Sequence, residues 1–351
     1  MTLKILHINC NKEWRGGEYV VHEIFNGQFN QCEQYLFCPA NSELANRNTP
    51  NTHLFTYKKR MGVDVAGALQ LKKIIHTKQI QLVHLHDAQA QNLFYLACIF
   101  GVKVSAVIHR HVNYPIKSAW KYTNNRILKI ICVSKSVENT VHKYTLHKQK
   151  TIVIYSGIDI KKYSANSAPI DLKKELGIPK KDYLIGIVSA LEIEKNVEEF
   201  CKIAQLINKE KNDYHFVVIG KGSFLHTYQQ QYPFIHFVGF KENSTELLQQ
   251  LDVFLFTSKS EGLGMALIEA MAAHIPVVGH TSPVIKEIIE HSKNGFIYTT
   301  KEEAIKNIYT LIEQPDLKNK IIQNASKSIA KFEVSLMNKQ LEVLYISLLI
   351  K

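Results

Sequence analysis

A chain of 351 residues that is 46% hydrophobic and 21% charged has material for two packed cores of roughly 150–200 residues each and is too apolar to stay disordered. It has no uncharged apolar run of about 18 residues or more, and its opening MTLKILHINCN shows no leader cleavage site, so the expectation is a cytoplasmic protein without a spanning segment. The net charge of +12 is lopsided: residues 1–160 hold 20 Lys and Arg against 9 Asp and Glu, and the rest hold 23 against 22. An anionic partner (nucleic acid, an anionic membrane surface or a phosphorylated substrate) is therefore expected to meet the first half.

Along the chain, short apolar runs alternate with longer amphipathic segments. The first half predicts strands at 3–8, 34–38, 52–57, 80–85, 103–108, 129–133 and 151–155; the second predicts them at 183–188, 214–219, 235–238, 252–256 and 275–278. Near-continuous apolar strands are buried on both faces, as in parallel sheets covered by helices. The fold class is therefore α/β, a doubly wound Rossmann-like domain occurring twice. The polar, proline-containing stretch 157–182 reads as the junction. We expect an N-terminal domain over 1–165, a C-terminal domain over 166–331, and a closing helix over 332–351 packing back on the first domain. The six cysteines are scattered without a Cys-x-x-Cys pair and read as buried thiols.

In chain order, the first motif is Arg15-Gly16-Gly17-Glu18 after the first strand, and His84-Leu85-His86-Asp87 follows the fourth. His109-Arg110-His111 closes the fifth, where α/β folds place ligand groups. Residues two apart on a strand share a face, but no third metal ligand at suitable spacing is evident, and Arg110 is read as an acceptor-side or phosphate contact. The segment 252–278, DVFLFTSKSEGLGMALIEAMAAHIPVV, is the sharpest signal. Its strand ends at Thr257-Ser258, and Glu261-Gly262-Leu263-Gly264 then opens a helix whose first amides and dipole suit a phosphate. Glu261 sits at the helix mouth. Glu269 lies about two turns further on, placed to accept hydrogen bonds from ligand hydroxyls.

This segment, with its glutamate, seven residues, glutamate pattern, resembles the signature of the family 4 retaining glycosyltransferases. Tyr155 to Asp159, Ser189 to Lys195, Val218-Ile219-Gly220-Lys221-Gly222 and Val238-Gly239-Phe240 agree in order and spacing. The resemblance implies the GT-B architecture, two Rossmann-like domains with parallel sheets facing across a cleft. It places the nucleotide-sugar donor mainly on the C-terminal domain and the acceptor on the N-terminal one. It gives Glu269 the ribose hydroxyls, Glu261 the hydroxyls of the transferred sugar and Lys195 the donor diphosphate. Gly16 and Gly17 let backbone amides approach that diphosphate, Gly220 and the amides of Gly262, Leu263, Gly264 and Met265 line the donor side, and His86 stands at the reacting centre. Many relatives carry an arginine five residues before the lysine; here that place is Ala190, which leaves Arg15 and Arg110 as substitute cations.

The implied reaction is retaining transfer from a nucleoside diphosphate sugar to a hydroxyl of a glycan or glycolipid, in lipopolysaccharide or surface polysaccharide synthesis. No cofactor is expected and no metal, because no Asp-x-Asp pair occurs. The basic first half, with Lys58-Lys59-Arg60 and the stretch from Lys117 to Lys129, suits a phosphorylated glycolipid or peripheral docking on the inner membrane face. Nucleic acid is not expected as a partner, since aromatic residues are not interleaved with the basic ones. The rival readings are a sugar-nucleotide epimerase or phosphorylase of the same architecture, and a non-catalytic basic protein binding membrane or nucleic acid on a transferase scaffold.

Overall fold

The computed structural model describes residues 2–48, 53–144, 147–164, 171–241 and 244–349. Residue 52, the start of one expected strand, and residues 165–170, which hold the expected domain boundary, lie outside them. The chain divides into two compact units, 1–158 with 332–351 and 159–331.

In the first unit seven strands form one parallel sheet: β1 (Leu3–Ile8), β2 (Cys32–Pro39), β3 (Leu54–Tyr57), β4 (Leu82–Leu85), β5 (Ser105–Arg110), β6 (Ile127–Cys132) and β7 (Thr151–Val153). Their order is β3-β2-β1-β4-β5-β6-β7. The order reverses between β1 and β4, whose register sets His7 beside His84. Leu3, Ile5, Leu6 and Ile8 are all buried, as a strand covered on both faces requires. Helix Val65–Thr77 is capped by Asp64 and helix Ala88–Ile99 by Asp87, each carboxylate accepting from amides of the first turn. The closing helix Val334–Leu349 belongs to this unit. Its Tyr345 hydroxyl reaches His84 Nδ1 at 2.7 Å. A Cβ on Gly157 would sit 2.5 Å from the Val334 Cα, so only glycine lets the chain pass the helix start there.

The second unit has six parallel strands: β8 (Tyr183–Val188), β9 (Tyr214–Ile219), β10 (His236–Gly239), β11 (Val253–Phe256), β12 (Val277–His280) and β13 (Phe296–Tyr298), in the order β10-β9-β8-β11-β12-β13. This is the arrangement of the first unit's first six strands, with the reversal between β8 and β11. Phe200, Ile203, Ala204 and Ile207 of helix Val197–Asn208 pack into a core with Phe216, Val218 and Leu255. Helix Lys301–Glu313 opens on a reciprocal Thr300–Glu303 capping box.

Both units are Rossmann-like α/β domains, as the alternation predicts. β13 is not among the predicted strands: three residues on the sheet edge, Phe296–Tyr298, are too short to show a period. β5 runs on to Arg110, so His109 and Arg110 are strand residues rather than its continuation, while β7 stops at Val153.

Candidate active site

Open α/β sheets bind ligands beyond the carboxyl ends of the strands, where the strand order reverses. In the second unit that point lies between the loops that follow β8 and β11. The loop after β8 ends in a short turn, Ile193–Lys195, and Asn196 then adopts a left-handed backbone (φ +51°) before the next helix. The loop after β11 is tied to it: Thr257 Oγ1 donates to the Lys195 carbonyl and Asn196 Nδ2 donates to the Thr257 carbonyl, both at 3.3 Å. The Asn196 amide also donates to Glu199, whose carboxylate lies 3.4 Å from Lys259 Nζ. Glu199 carried no sequence signal beyond its place in the first turn of a helix.

These ties bring Lys195 Nζ to 2.7 Å from Glu261 Oε1, with the Glu261 side chain the more covered of the two. Gly264 follows at φ +82° as the N-cap of helix Met265–Ala272 and offers no side-chain cap. The helix start therefore keeps amide donors and the positive dipole end for a ligand. Glu269 is half-buried, little more than one turn into this helix. Burial raises its carboxyl to about 7, opposed by a hydrogen bond with Tyr163 and the charge of Lys162. Gly220 closes this side: at φ +149°, a Cβ there would lie 1.9 Å from the Ser189 carbonyl oxygen, so the loop after β9 lies against the loop after β8 only with glycine. Lys195, Gly220, Glu261, Gly262, Leu263, Gly264, Met265 and Glu269 thus all lie in the second unit. Ala190 is exposed on the loop that carries Lys195.

In the first unit the reversal point lies between the loops after β1 and β4. Helix Gly16–Phe25 starts on the two glycines, with Arg15 as an N-cap that gives no side-chain bond. The buried Glu18 accepts from Asn9 Nδ2 at 3.1 Å and Asn11 Nδ2 at 2.7 Å, holding the loop after β1 against the helix. Asp87 accepts from the Cys10 amide at 2.6 Å as well as from Gln89 and Ala90, so it is a staple and cap. His86 is buried at the end of β4, its amide bonded to the Ile8 carbonyl.

His86 stands in a group the sequence did not announce. Its Nε2 lies 2.9 Å from His7 Nδ1, and His7 Nε2 lies 2.6 Å from the Gln34 carbonyl oxygen. On the other side, His86 Nδ1 lies 3.3 Å from His111 Nε2, and His109 stacks on His111 with centroids 4.2 Å apart. The expectation that His109 and His111 lack a third partner is corrected here: the residue that follows β4, His86, lies within reach of both. Burial pushes all five imidazoles down, His7 and His111 to about 4 and His84, His86 and His109 well below their ordinary value, so they are neutral at pH 7. Arg110, between the two histidines, is buried and donates to the Tyr122 hydroxyl at 2.7 Å and to the Tyr114 carbonyl. Arg15 is exposed and paired with Glu13. Both substitute cations are therefore already engaged by their own unit.

Two Rossmann-like units, each with an uncapped helix start at its reversal point, and a lysine–glutamate pair at one of them, are the features of a GT-B glycosyltransferase. The comparisons with known proteins agree. The model for glycosyl transferases group 1 matches residues 170–328 and that for glycosyltransferase family 4 matches residues 14–162. The chain belongs to this family. It is 26% identical over 243 residues, 66% of this chain and 61% of the other, to alpha-monoglucosyldiacylglycerol synthase of Acholeplasma laidlawii. It is 24% identical over 332 residues, covering 89% and 87%, to the O-antigen biosynthesis glycosyltransferase WclY of Escherichia coli. The fold matches Anabaena Alr3699/HepE in complex with UDP-glucose with a TM-score of 0.85, 20% identity, and coverage of 98% of this chain and 100% of that one.

Proposed function

We propose that this glycosyltransferase moves a sugar, with retention and without a metal, from a nucleoside diphosphate sugar to a hydroxyl of a glycan or glycolipid. The observation that carries the reading is the 2.7 Å contact between Lys195 and Glu261. In a nucleotide sugar the terminal phosphate and the sugar ring are joined through one oxygen, so a cation for the phosphate and an acceptor for the sugar hydroxyls must be neighbours. Lys195 and the amides of Gly262 to Met265 meet the diphosphate, Glu261 the sugar hydroxyls and Glu269 the ribose. Gly16 and Gly17 add amides at a second helix start. The bond from the anomeric carbon to the diphosphate oxygen breaks, the bond to the acceptor oxygen forms on the same face, and the acceptor proton passes to the departing diphosphate. Fixed positive potential is placed where that charge grows. His86, neutral and held by its neighbours, offers its Nδ1 lone pair as an acceptor for a sugar hydroxyl.

The names of the Acholeplasma and Escherichia relatives support a lipid-linked or surface-glycan acceptor, and the basic first half supports an anionic one. Its exposed Lys58, Arg60, Met61 and Val63 lie together in sequence and are placed to rest on an anionic membrane. No helix among the described residues is long and apolar enough to cross a membrane. The test is incubation of the protein with single nucleotide sugars, uridine diphosphate sugars first, with and without lipid-linked acceptors. A glycosylated acceptor whose anomeric configuration matches the donor supports the reading. A new nucleotide sugar formed without acceptor, or an inverted product, overturns it.

A further inference from the structure

The histidine group between β1, β4 and β5 holds more polarity than the proposed transfer uses. His109 is 2% exposed, and neither of its ring nitrogens has a hydrogen-bond partner. Buried polar atoms are nearly always paired, so two orphans on one ring call for a ligand. Ring nitrogens of His86, His109 and His111 all lie within 4.8 Å of one another. Two imidazoles bound to one tetrahedral ion at about 2.0–2.1 Å place their nitrogens about 3.3–3.4 Å apart, and His86 Nδ1 and His111 Nε2 are separated by 3.3 Å.

The surroundings also set which nitrogen of His86 is free. The Gln34 carbonyl oxygen accepts from His7 Nε2, which leaves His7 Nδ1 as an acceptor for His86 Nε2–H. His86 Nδ1 then carries a lone pair, aimed at His111. A histidine that donates its far N–H to a fixed acceptor is oriented as a metal ligand. The alternative group, His7, His84 and His86, lacks this property, because both nitrogens of His7 are already engaged. No hydrogen bond opposes rotation of the His109 ring toward the shared point. Arg110 alternates to the opposite side and is bonded to Tyr122 and Tyr114.

We infer that His86, His109 and His111 bind one divalent transition-metal ion, and that the bound ion inhibits transfer by withdrawing His86 from the sugar. Three imidazoles suit Zn2+ or Ni2+ and not Mg2+, which takes oxygen ligands. The inhibition rests on the proposed role of His86; the binding does not.

The experiment is titration of the full chain with ZnCl2 against a chromogenic chelator, with no donor present. One ion per chain is expected, with affinity weakened about tenfold or more by His109→Phe, by His111→Asn and, through the tautomer chain, by Gln34→Leu. His215→Asn, in the second unit, should change nothing. Absence of Zn2+ binding, or equal binding by the His109→Phe and His111→Asn variants, overturns the site. In the transfer assay Zn2+ should slow the parent protein and spare the His109→Phe variant. Full transfer by the zinc-loaded parent overturns the inhibition and leaves the site standing. A chain that binds zinc and transfers no sugar under any condition overturns the transferase reading instead.

Discussion

Lys195 and Glu261 lie 66 residues apart in sequence and share one hydrogen-bonded ion pair of 2.7 Å, at the point where the second unit's strand order reverses. On the proposed reading, a diphosphate entering there would compete with Glu261 for the ammonium, and the sugar hydroxyls that accompany it would offer the carboxylate new donors. The pair would then be an exchange partner for both halves of the donor. Lys195→Ala should lower kcat more than it raises KM, by roughly 10²–10³-fold, the usual effect of removing one preorganised group from a developing anion. Thermal midpoints of parent and variant must agree first. An unchanged kcat would remove Lys195 from the chemistry.

Glu261→Gln should separate the two roles of the pair. It keeps an oxygen for the sugar hydroxyls but no longer neutralises Lys195, so nucleoside diphosphate alone should bind the variant more tightly than the parent. The nucleotide sugar should react more slowly, since a neutral acceptor is weaker than a charged one. Calorimetric titration with the free nucleotide and initial rates with the sugar nucleotide check the two halves. Weaker nucleotide binding in the variant would contradict competition for the lysine.

Chelation should leave transfer by the zinc-free protein untouched. Among the described residues the groups offering a shared metal point are histidines of the first unit, and none contains Lys195, Glu261 or Glu269. Transfer lost in EDTA and restored by Mg2+ or Mn2+ would refute metal independence.

How much of this was legible in the sequence depends on how local each signal is. The strand–helix alternation and the 252–278 segment are local, and they led to both sheets and to Glu261 and Glu269, whereas Lys195 was reached only through the family resemblance. The histidine group was not legible: His7, Gln34, His86 and His111 come from four separate stretches of chain and meet only because β2, β1, β4 and β5 are neighbours in that order in the sheet. Spacing within 109–111 alone suggested an incomplete ligand set. The engagement of Arg110 by Tyr122 was equally hidden, since a charge in a motif looks the same whether it faces a ligand or its own fold.

The basic stretch after β3 should bring the protein to anionic vesicles in a salt-sensitive way, since exposed charges are screened beyond roughly 8 Å at physiological ionic strength. Lys58 and Arg60 are exposed, Met61 fully so, whereas Lys59 donates to the Cys10 carbonyl at 2.7 Å and belongs to the fold. The informative variants are therefore Lys58→Glu with Arg60→Glu for the electrostatic part and Met61→Ser for the apolar part. Both should reduce sedimentation with anionic vesicles while transfer to a short soluble acceptor persists. Equal sedimentation with neutral vesicles, or no response to salt, would count against this surface.

On the proposed reading, Glu269 couples donor binding to stability through one proton. Its carboxyl is raised by burial from 4.5 to about 7, so the folded chain keeps a proton that the unfolded chain has released. Stability contributed by the neutral acid is complete below pH 4.5 and is lost as pH climbs to about 7, because the folded state must then bury a charge. Glu269→Gln should therefore melt like the parent at pH 4.5 and later than the parent at pH 8. The shift corresponds to at most about 3 kcal/mol, reduced by the water that reaches a half-buried carboxylate. Function should run the other way. Ribose hydroxyls donate best to the ionised form, so the parent's donor KM should fall as pH rises from 6 to 8. The variant's KM should stay high and flat, by about 10–150-fold for a lost charged hydrogen bond. Thermal scans and donor KM measured on both proteins at pH 5, 6, 7 and 8 decide it. A parallel pH dependence of the two melting curves would show that Glu269 is ionised throughout, and an unchanged KM would take it away from the ribose.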